Sequence, residues 1–273
     1  MIRHDTRRVS AWARLIVTGF FVSVAALFVH VAGATTTLCG ATIVEDLTLD
    51  HDLACAAGGL IVGADGIKIN LQGHSITGAR TGVGITVIGR TDVSIFGGTI
   101  ADFFTGVLIN NSADIVVKDA LLSHNVDGVD VQAGSSGITI KASAFMNNTT
   151  RGIMLRGGIT DNEIKNNTLT ANRVGILING PTDTIVKDNT ISGSLLAGIR
   201  VGIVATGNLV LDNTVSSNPA GIEFLVEDAG AASGNTFIGN AITLNTCGIK
   251  GPSSANRFKE NQFSGNTADI CPS

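Results

Sequence analysis

Short runs of alternating apolar and polar residues recur along most of this chain, and one run in each repeat is opened by a glycine. The openings read GVLI from Gly106, GVDV from Gly128, GIML from Gly152, GILI from Gly175, GIRV from Gly198, GIEF from Gly221 and the shorter GIK from Gly248. The glycines are 22, 24, 23, 23, 23 and 27 residues apart. Between openings lie two further alternating pieces, such as Asp114–Asp119 and Gly137–Ala142 for the first, and Asn167–Asn172 and Asn213–Asn218 for the second. Alternation with period two places one side of each piece inward and the other outward, as in a strand. None is long enough to carry a helical 3.6-residue stripe. Self-similarity at a fixed period of this size predicts a repeat architecture. Three short strands per repeat predict an all-β, right-handed parallel β-helix of about eight or nine coils over residues 59–273, after an N-terminal cap at residues 35–58.

Two asparagine series keep the same register. Asn167, Asn189, Asn213, Asn240 and Asn261 recur at one turn, and Asn125, Asn172, Asn218 and Asn245 recur three residues before an opening glycine. Stacked asparagines can bond to turn backbone and to the asparagine of the next coil, and they tolerate left-handed backbone. Asn148-Thr149-Thr150 matches a glycosylation sequon, but here it is expected as a by-product of the ladder. Composition agrees: 34 Gly, only 4 Pro and 15% charged residues suit many short strands joined by tight turns.

Residues 1–34 stand apart. Arg3, Arg7, Arg8 and Arg14 precede or open an apolar run from Leu15 to Val31, and Ala32-Gly33-Ala34 supplies small residues for cleavage. This pattern predicts a secretory signal peptide and a secreted or periplasmic destination. No later stretch is apolar enough to span a bilayer. Taking away those four arginines and Asp5 leaves 14 basic against 21 acidic residues, a net charge of −7. Such a balance counts against nucleic-acid partners. Trp12 falls in the leader and the chain has no Tyr, so phenylalanine is the only aromatic of the mature part.

Cys39, Cys55, Cys247 and Cys271 all follow the leader. An even count after an export signal predicts two disulfides. Of the three pairings, Cys39–Cys55 and Cys247–Cys271 are expected, one near each end. Cys271 lies one coil beyond Cys247, and strands stacked about 4.8 Å apart fall within disulfide reach. Their wide spacing does not suit a zinc site, and neither a metal nor another cofactor is expected.

Cys39–Cys55, followed by the segment GIKINLQGHSITG over Gly66–Gly78, resembles the entry coil of the pectin-lyase-like superfamily, in particular its small, asparagine-rich bacterial members. The resemblance covers nearly all of the mature chain. The superfamily includes pectate lyases, polygalacturonases, mannuronan epimerases and non-catalytic members, so the fold does not choose an activity. In its enzymes, substrate lies on an outer strand face that corresponds to the glycine-opened strand here. Outward positions on that strand read Leu108 and Asn110, Asp130 and Gln132, Met154 and Arg156, Leu177 and Asn179, then Arg200 and Glu223. The preceding turns add His124, Asp127, Arg151 and Arg173.

The segment NVDGVD, Asn125–Asp130, resembles the polygalacturonase N-x-D-G-x-D motif, and GVDVQ, Gly128–Gln132, is similar to the epimerase G-x-D-P-H segment. Gln132 stands where the latter has histidine, and it cannot act as an acid or base. The paired aspartates, Gly-His-Gly and Arg-x-Lys of polygalacturonases are absent. The resemblance implies an acidic-sugar site: Arg151, Arg156, Arg200 and Gln132 would hold uronate carboxylates, and Asp127, Asp130 and His124 would move protons. The alternative for the same residues is a solvated face of cross-coil ion pairs. For the whole chain, the alternatives are a non-catalytic cell-surface or matrix protein and, least favoured, a periplasmic metal-delivery protein. The latter resembles β-helix proteins of copper-enzyme maturation, but the mature chain offers only His51, His74 and His124, two methionines and four paired cysteines.

Overall fold

The computed structural model describes residues 38–225, 232–252 and 254–272. The leader expected at residues 1–34 lies outside them. So do residues 226–231, within the longest interval between opening glycines, Gly221 to Gly248.

Among the described residues the chain winds as a right-handed parallel β-helix with no helical element. Three parallel sheets run along its axis, the first with eleven strands and the other two with ten each. Each strand pairs with those one coil before and after it, so the fold has about ten coils rather than eight or nine. The difference lies at the N-terminus. Residues expected as a cap form a complete first coil, with Thr42–Ile43, Leu47–Thr48 and Leu53–Ala54 each starting one of the three sheets.

The inward residue of every short strand stacks on its counterparts. In the first sheet Val107, Val129, Ile153, Ile176, Ile199 and Ile222 form one such column, all fully buried. The second sheet contributes Ile95, Val117, Ile140, Ile164, Val186 and Val210. The third contributes Ile100, Leu122, Phe145, Leu169, Ile191 and Val215. Towards the C-terminus rings replace aliphatics, where Phe237 stacks on Phe258 at 5.1 Å and Phe224 meets both edge-on.

The opening glycines line up because nothing larger fits. A Cβ on Gly128 would lie 2.4 Å from the carbonyl oxygen of Gly152, and one on Gly152 would lie 2.7 Å from that of Gly175. The same collision repeats from Gly175 to Gly198 and from Gly221 to Gly248. Close approach of two backbones, rather than a special dihedral, is what requires glycine here.

The asparagine ladders are inside the solenoid. Asn189 donates its backbone N–H and its side-chain amide to the carbonyl oxygen of the Asn213 side chain, at 3.0 and 2.9 Å. Asn213 does the same to Asn240. The second series runs through Asn125, Asn148 and Asn172, then from Asn218 to Asn245 and Asn266. A third series, Asn162, Thr184, Asn208, Asn235 and Asn256, flanks the second sheet. The sequence hid it because Thr184 interrupts it. Left-handed backbone belongs not to the ladder residues but to the residue before each, as at Asn166, Asp188, Asp212, Ala171 and Ser217. That kink turns the next side chain inward.

Both expected disulfides are formed, Cys39–Cys55 with Cα atoms 5.3 Å apart and Cys247–Cys271 with 6.1 Å.

Candidate functional site

Alternation in the first sheet sets which side chains leave the solenoid. Strands Asp127–Val131, Arg151–Leu155, Val174–Ile178, Ala197–Val201 and Ala220–Phe224 pair in register. The residues that begin these strands, Asp127, Arg151, Val174 and Ala197, form one column, out of phase with the alternation that follows each glycine. A second reads Asp130, Met154, Leu177, Arg200, Glu223 and Lys250. Asp127 and Arg151 thus belong to strands, not to the preceding turn.

Opposite charges on neighbouring coils close on one another. Arg151 reaches both carboxylate oxygens of Asp127 at 3.2 Å. Arg156 grips Asp130 with two parallel bonds, Nε to Oδ1 at 2.8 Å and Nη2 to Oδ2 at 2.9 Å. Gln132 donates to Asp130 Oδ2 at 2.9 Å and accepts from Asn110 at 2.6 Å. Further along, Glu223 takes Arg200 at 2.8 Å and Lys250 at 3.1 Å. The carboxylate side chains of Asp127 and Asp130 are only 6% and 5% exposed, against 27% and 42% for their arginines. Burial pushes the Asp127 carboxyl above the ordinary range, with Arg151 opposing it. The hydrogen bond to Asp130 raises Arg156 further, so it stays charged.

His124 is not part of this network. It occupies the corner between the third and first sheets in left-handed conformation (φ 57°), exposed, with no side-chain hydrogen bond or ion pair to either aspartate. The structure therefore joins Asp127 to Arg151, Asp130 to Arg156 and Gln132, and Arg200 to Glu223, and leaves the histidine apart. Lys250 was not foreseen, although its place in the GIK opening puts it in the column of Glu223.

Between the two charged groups the outer face changes character. Met154, Val174 and Leu177 pack together outside the main core, with Leu196 against them. They floor a groove of about 370 Å³, whose lining also includes Arg151, Arg173, Asn179, Arg200, Ile203 and Leu225. Arg173 is exposed at the corner and has no ion-pair partner among the described residues. A concave apolar floor with a few convergent polar groups is the usual form of a small-molecule site. Leu177 and Met154 were legible as outward positions. Leu196 was not, because it comes from a corner and not from the alternating strand.

The model of the periplasmic copper-binding protein (NosD) family matches residues 57–223 and again 158–271. The chain belongs to the NosD family. The overlapping matches reflect its internal repeat. No curated protein matches this NosD-family chain in sequence. Among solved structures, an alginate lyase from Paenibacillus shares its fold with a TM-score of 0.69 and 16% identity, over 84% of this chain and 98% of that one. The A-module of the mannuronan C-5 epimerase of Azotobacter vinelandii has a TM-score of 0.55 and 14% identity, over 82% and 86%. A tailspike protein of an E. coli bacteriophage, in complex with a pentasaccharide, has 0.62 and 10%, over 82% and 50%. These likenesses show the fold alone, a parallel β-helix shared with the NosD-family chain.

The family description names copper, and the donors present do not suit it. All four cysteines are bonded to one another. Among the described residues no group of three or more His, Cys, Asp or Glu is placed so that it could hold a metal ion. His51 and His74 sit beside Asp50 and Asp52 in the first two coils, far in sequence from His124.

Proposed function

We propose that this NosD-family chain is an exported protein that binds acidic polysaccharide on the outer face of its first sheet. The groove over Met154, Val174 and Leu177 carries this assignment. It joins an apolar floor, which suits the hydrophobic face of a sugar ring, to Arg151, Arg173 and Arg200, which suit uronate carboxylates. That face is locally positive on a chain expected to be net negative after leader removal. The solved structures named above include an alginate lyase, a mannuronan C-5 epimerase module and a tailspike in complex with a pentasaccharide, all of this fold. The two disulfides and the periplasmic family description support an oxidising compartment outside the cytoplasm.

Binding without turnover is the form the site favours. A general base must be free to take a proton from substrate, yet Asp127 and Asp130 are both engaged by arginines and His124 stands apart. The test uses calorimetric titration with oligomannuronate, oligoguluronate and oligogalacturonate, together with mass analysis of each after incubation. The expected result is saturable binding with no change in mass or epimer content, weakened at least about tenfold in Arg173→Ala, equivalent to about 1.4 kcal/mol. A chain that binds none of the three, or binds equally well with Arg173→Ala, would overturn the assignment. Turnover would move the chain to the enzyme class. Copper is tested in the same preparation by equilibrium dialysis, and no stoichiometric uptake is expected.

A further inference from the structure

The outer face of the third sheet differs from the other two in bearing no charge. Its strands from Ser75–Thr77 to Gln262–Ser264 each point two side chains outward, and none of these is Asp, Glu, Lys or Arg. Over the last five coils they become a regular array. One rank reads Thr168, Thr190, Thr214, Ala241 and Gln262, and the other reads Thr170, Ser192, Ser216, Thr243 and Ser264, each in direct register with the next. The hydroxyls in these ranks make no hydrogen bond to other described residues, so their donors and acceptors face outward. The nearest charges in sequence, Asp188, Asp212 and Glu260, sit at the preceding corner in left-handed backbone and not on the face.

The fold fixes the spacing of this array. Ranks lie about 6.7 Å apart along a strand and repeat about every 4.8 Å from coil to coil, over a strip of about 19 Å. A single exposed hydroxyl gains nothing by exchanging liquid water for another oxygen, because its hydrogen bonds are equivalent in both. An ordered, rigid rank of them gains only against a partner that is itself rigid, uncharged and repeated at the same intervals. The oxygen repeats of hexagonal ice along its two axes lie within about a tenth of the two spacings set by strand geometry.

The geometry points to the third-sheet face, centred on Thr168, Thr190 and Thr214, as a surface that adsorbs to ice. The threonine methyl groups between the hydroxyls keep the adjoining water ordered, and the lack of charge leaves no ion whose hydration shell would break the lattice. This face is separate from the groove on the first sheet, so neither depends on the other.

The experiment measures partition of the full chain into a slowly growing ice hemisphere, together with inhibition of ice recrystallisation. Thr190→Lys with Thr214→Lys is the test variant, and Arg173→Ala the control. Both threonines are exposed, so the double variant is expected to stay folded, with a melting temperature lowered only by the repulsion of two lysines on adjacent coils. The parent and Arg173→Ala should concentrate in the ice fraction several-fold, and the double variant should fall to the level of an inert protein. Parent protein excluded from ice, or a double variant that partitions as the parent does, would overturn the inference. Pull-down on crystalline cellulose without partition into ice would also overturn it, in favour of an ordered neutral polysaccharide.

Discussion

Asn213 shows what one residue contributes to the interior. Its side-chain oxygen accepts from the backbone and the side chain of Asn189, while its amide reaches Val186 and Asn240. Replacing it with alanine strands the buried backbone N–H of Asn189, whose side-chain amide keeps the carbonyls of Ile164 and Lys187, so Asn213→Ala should lower unfolding free energy by about 1–3 kcal/mol in urea titration. The ladder also has a gap to fill. Ser194 stands between Asn172 and Asn218 with its hydroxyl buried and unpartnered. Ser194→Asn should extend the series and stabilise by about 0.5–1.5 kcal/mol, provided that the longer side chain keeps the ladder geometry. Charge at the surface acts with a sign that pH reveals. Glu163 is hydrogen-bonded to Lys165 and Lys187, the latter at 2.8 Å, and those bonds hold its carboxyl below the ordinary range. Its stabilising effect is therefore fully present above the unfolded value, near 4.5, and is lost as pH falls through the folded one. Melting temperatures of the parent and Glu163→Gln should differ at pH 7 and converge on acidification. Asp127 has the opposite sign: burial raises it, so its ionisation subtracts stability as pH rises above about the ordinary carboxylate range.

At the level of the strand, close stacking rather than propensity decides the sequence. A methyl group on Gly128 meets the Gly152 carbonyl and the ring of Phe145, at 2.4 and 2.9 Å, and neither can yield without moving a coil. Gly128→Ala should cost about 1–3 kcal/mol or more. At Gly157 the nearest atom to such a methyl is 3.6 Å away and the backbone is not left-handed. Gly157→Ala should instead be neutral or stabilising by about 0.4–1 kcal/mol, through the unfolded chain. The same alternation made the outward columns legible: Asp130, Met154, Leu177 and Arg200 could be placed on one face from the strand pattern alone. Who pairs with whom could not, because a long side chain can reach past its register partner to the next outward position, as Arg156 reaches Asp130 beside Met154. Asp127 finds Arg151 after 24 residues, whereas Asp130 finds Arg156 after 26. The groove was hidden for a similar reason, since Leu196 and Ile203 reach it from outside the regular strands.

A solenoid of this kind has no centre, since each coil touches only the coils above and below, and its stability is close to a sum of nearest-neighbour terms. That is why the period alone disclosed the architecture. It is also why the first coil was read as a cap: its strands, Thr42–Ile43, Leu47–Thr48 and Leu53–Ala54, are two residues long and give the alternation little length to show, although Gly40 stands in register with Gly59 and Thr42–Ile43 pairs with Ile61 and Val62. Terminal coils have one neighbour instead of two, and both cross-links fall there. Cys39–Cys55 closes the first coil on itself, and Cys247–Cys271 ties the last two strands of the first sheet. Loops of 16 and 24 residues are expected to contribute about 2–4 kcal/mol each by restricting the unfolded chain. Because each coil packs only on its neighbours along the core, that loss should be felt locally. With both Cys247 and Cys271 changed to serine, amide hydrogen exchange should quicken over Arg257–Lys259, Gln262–Ser264 and Ala268–Cys271, while the strands from Asp127 to Val201 keep their protection. Uniform loss of protection along the axis would mean that the coils unfold as one cooperative body and that the additive description is wrong.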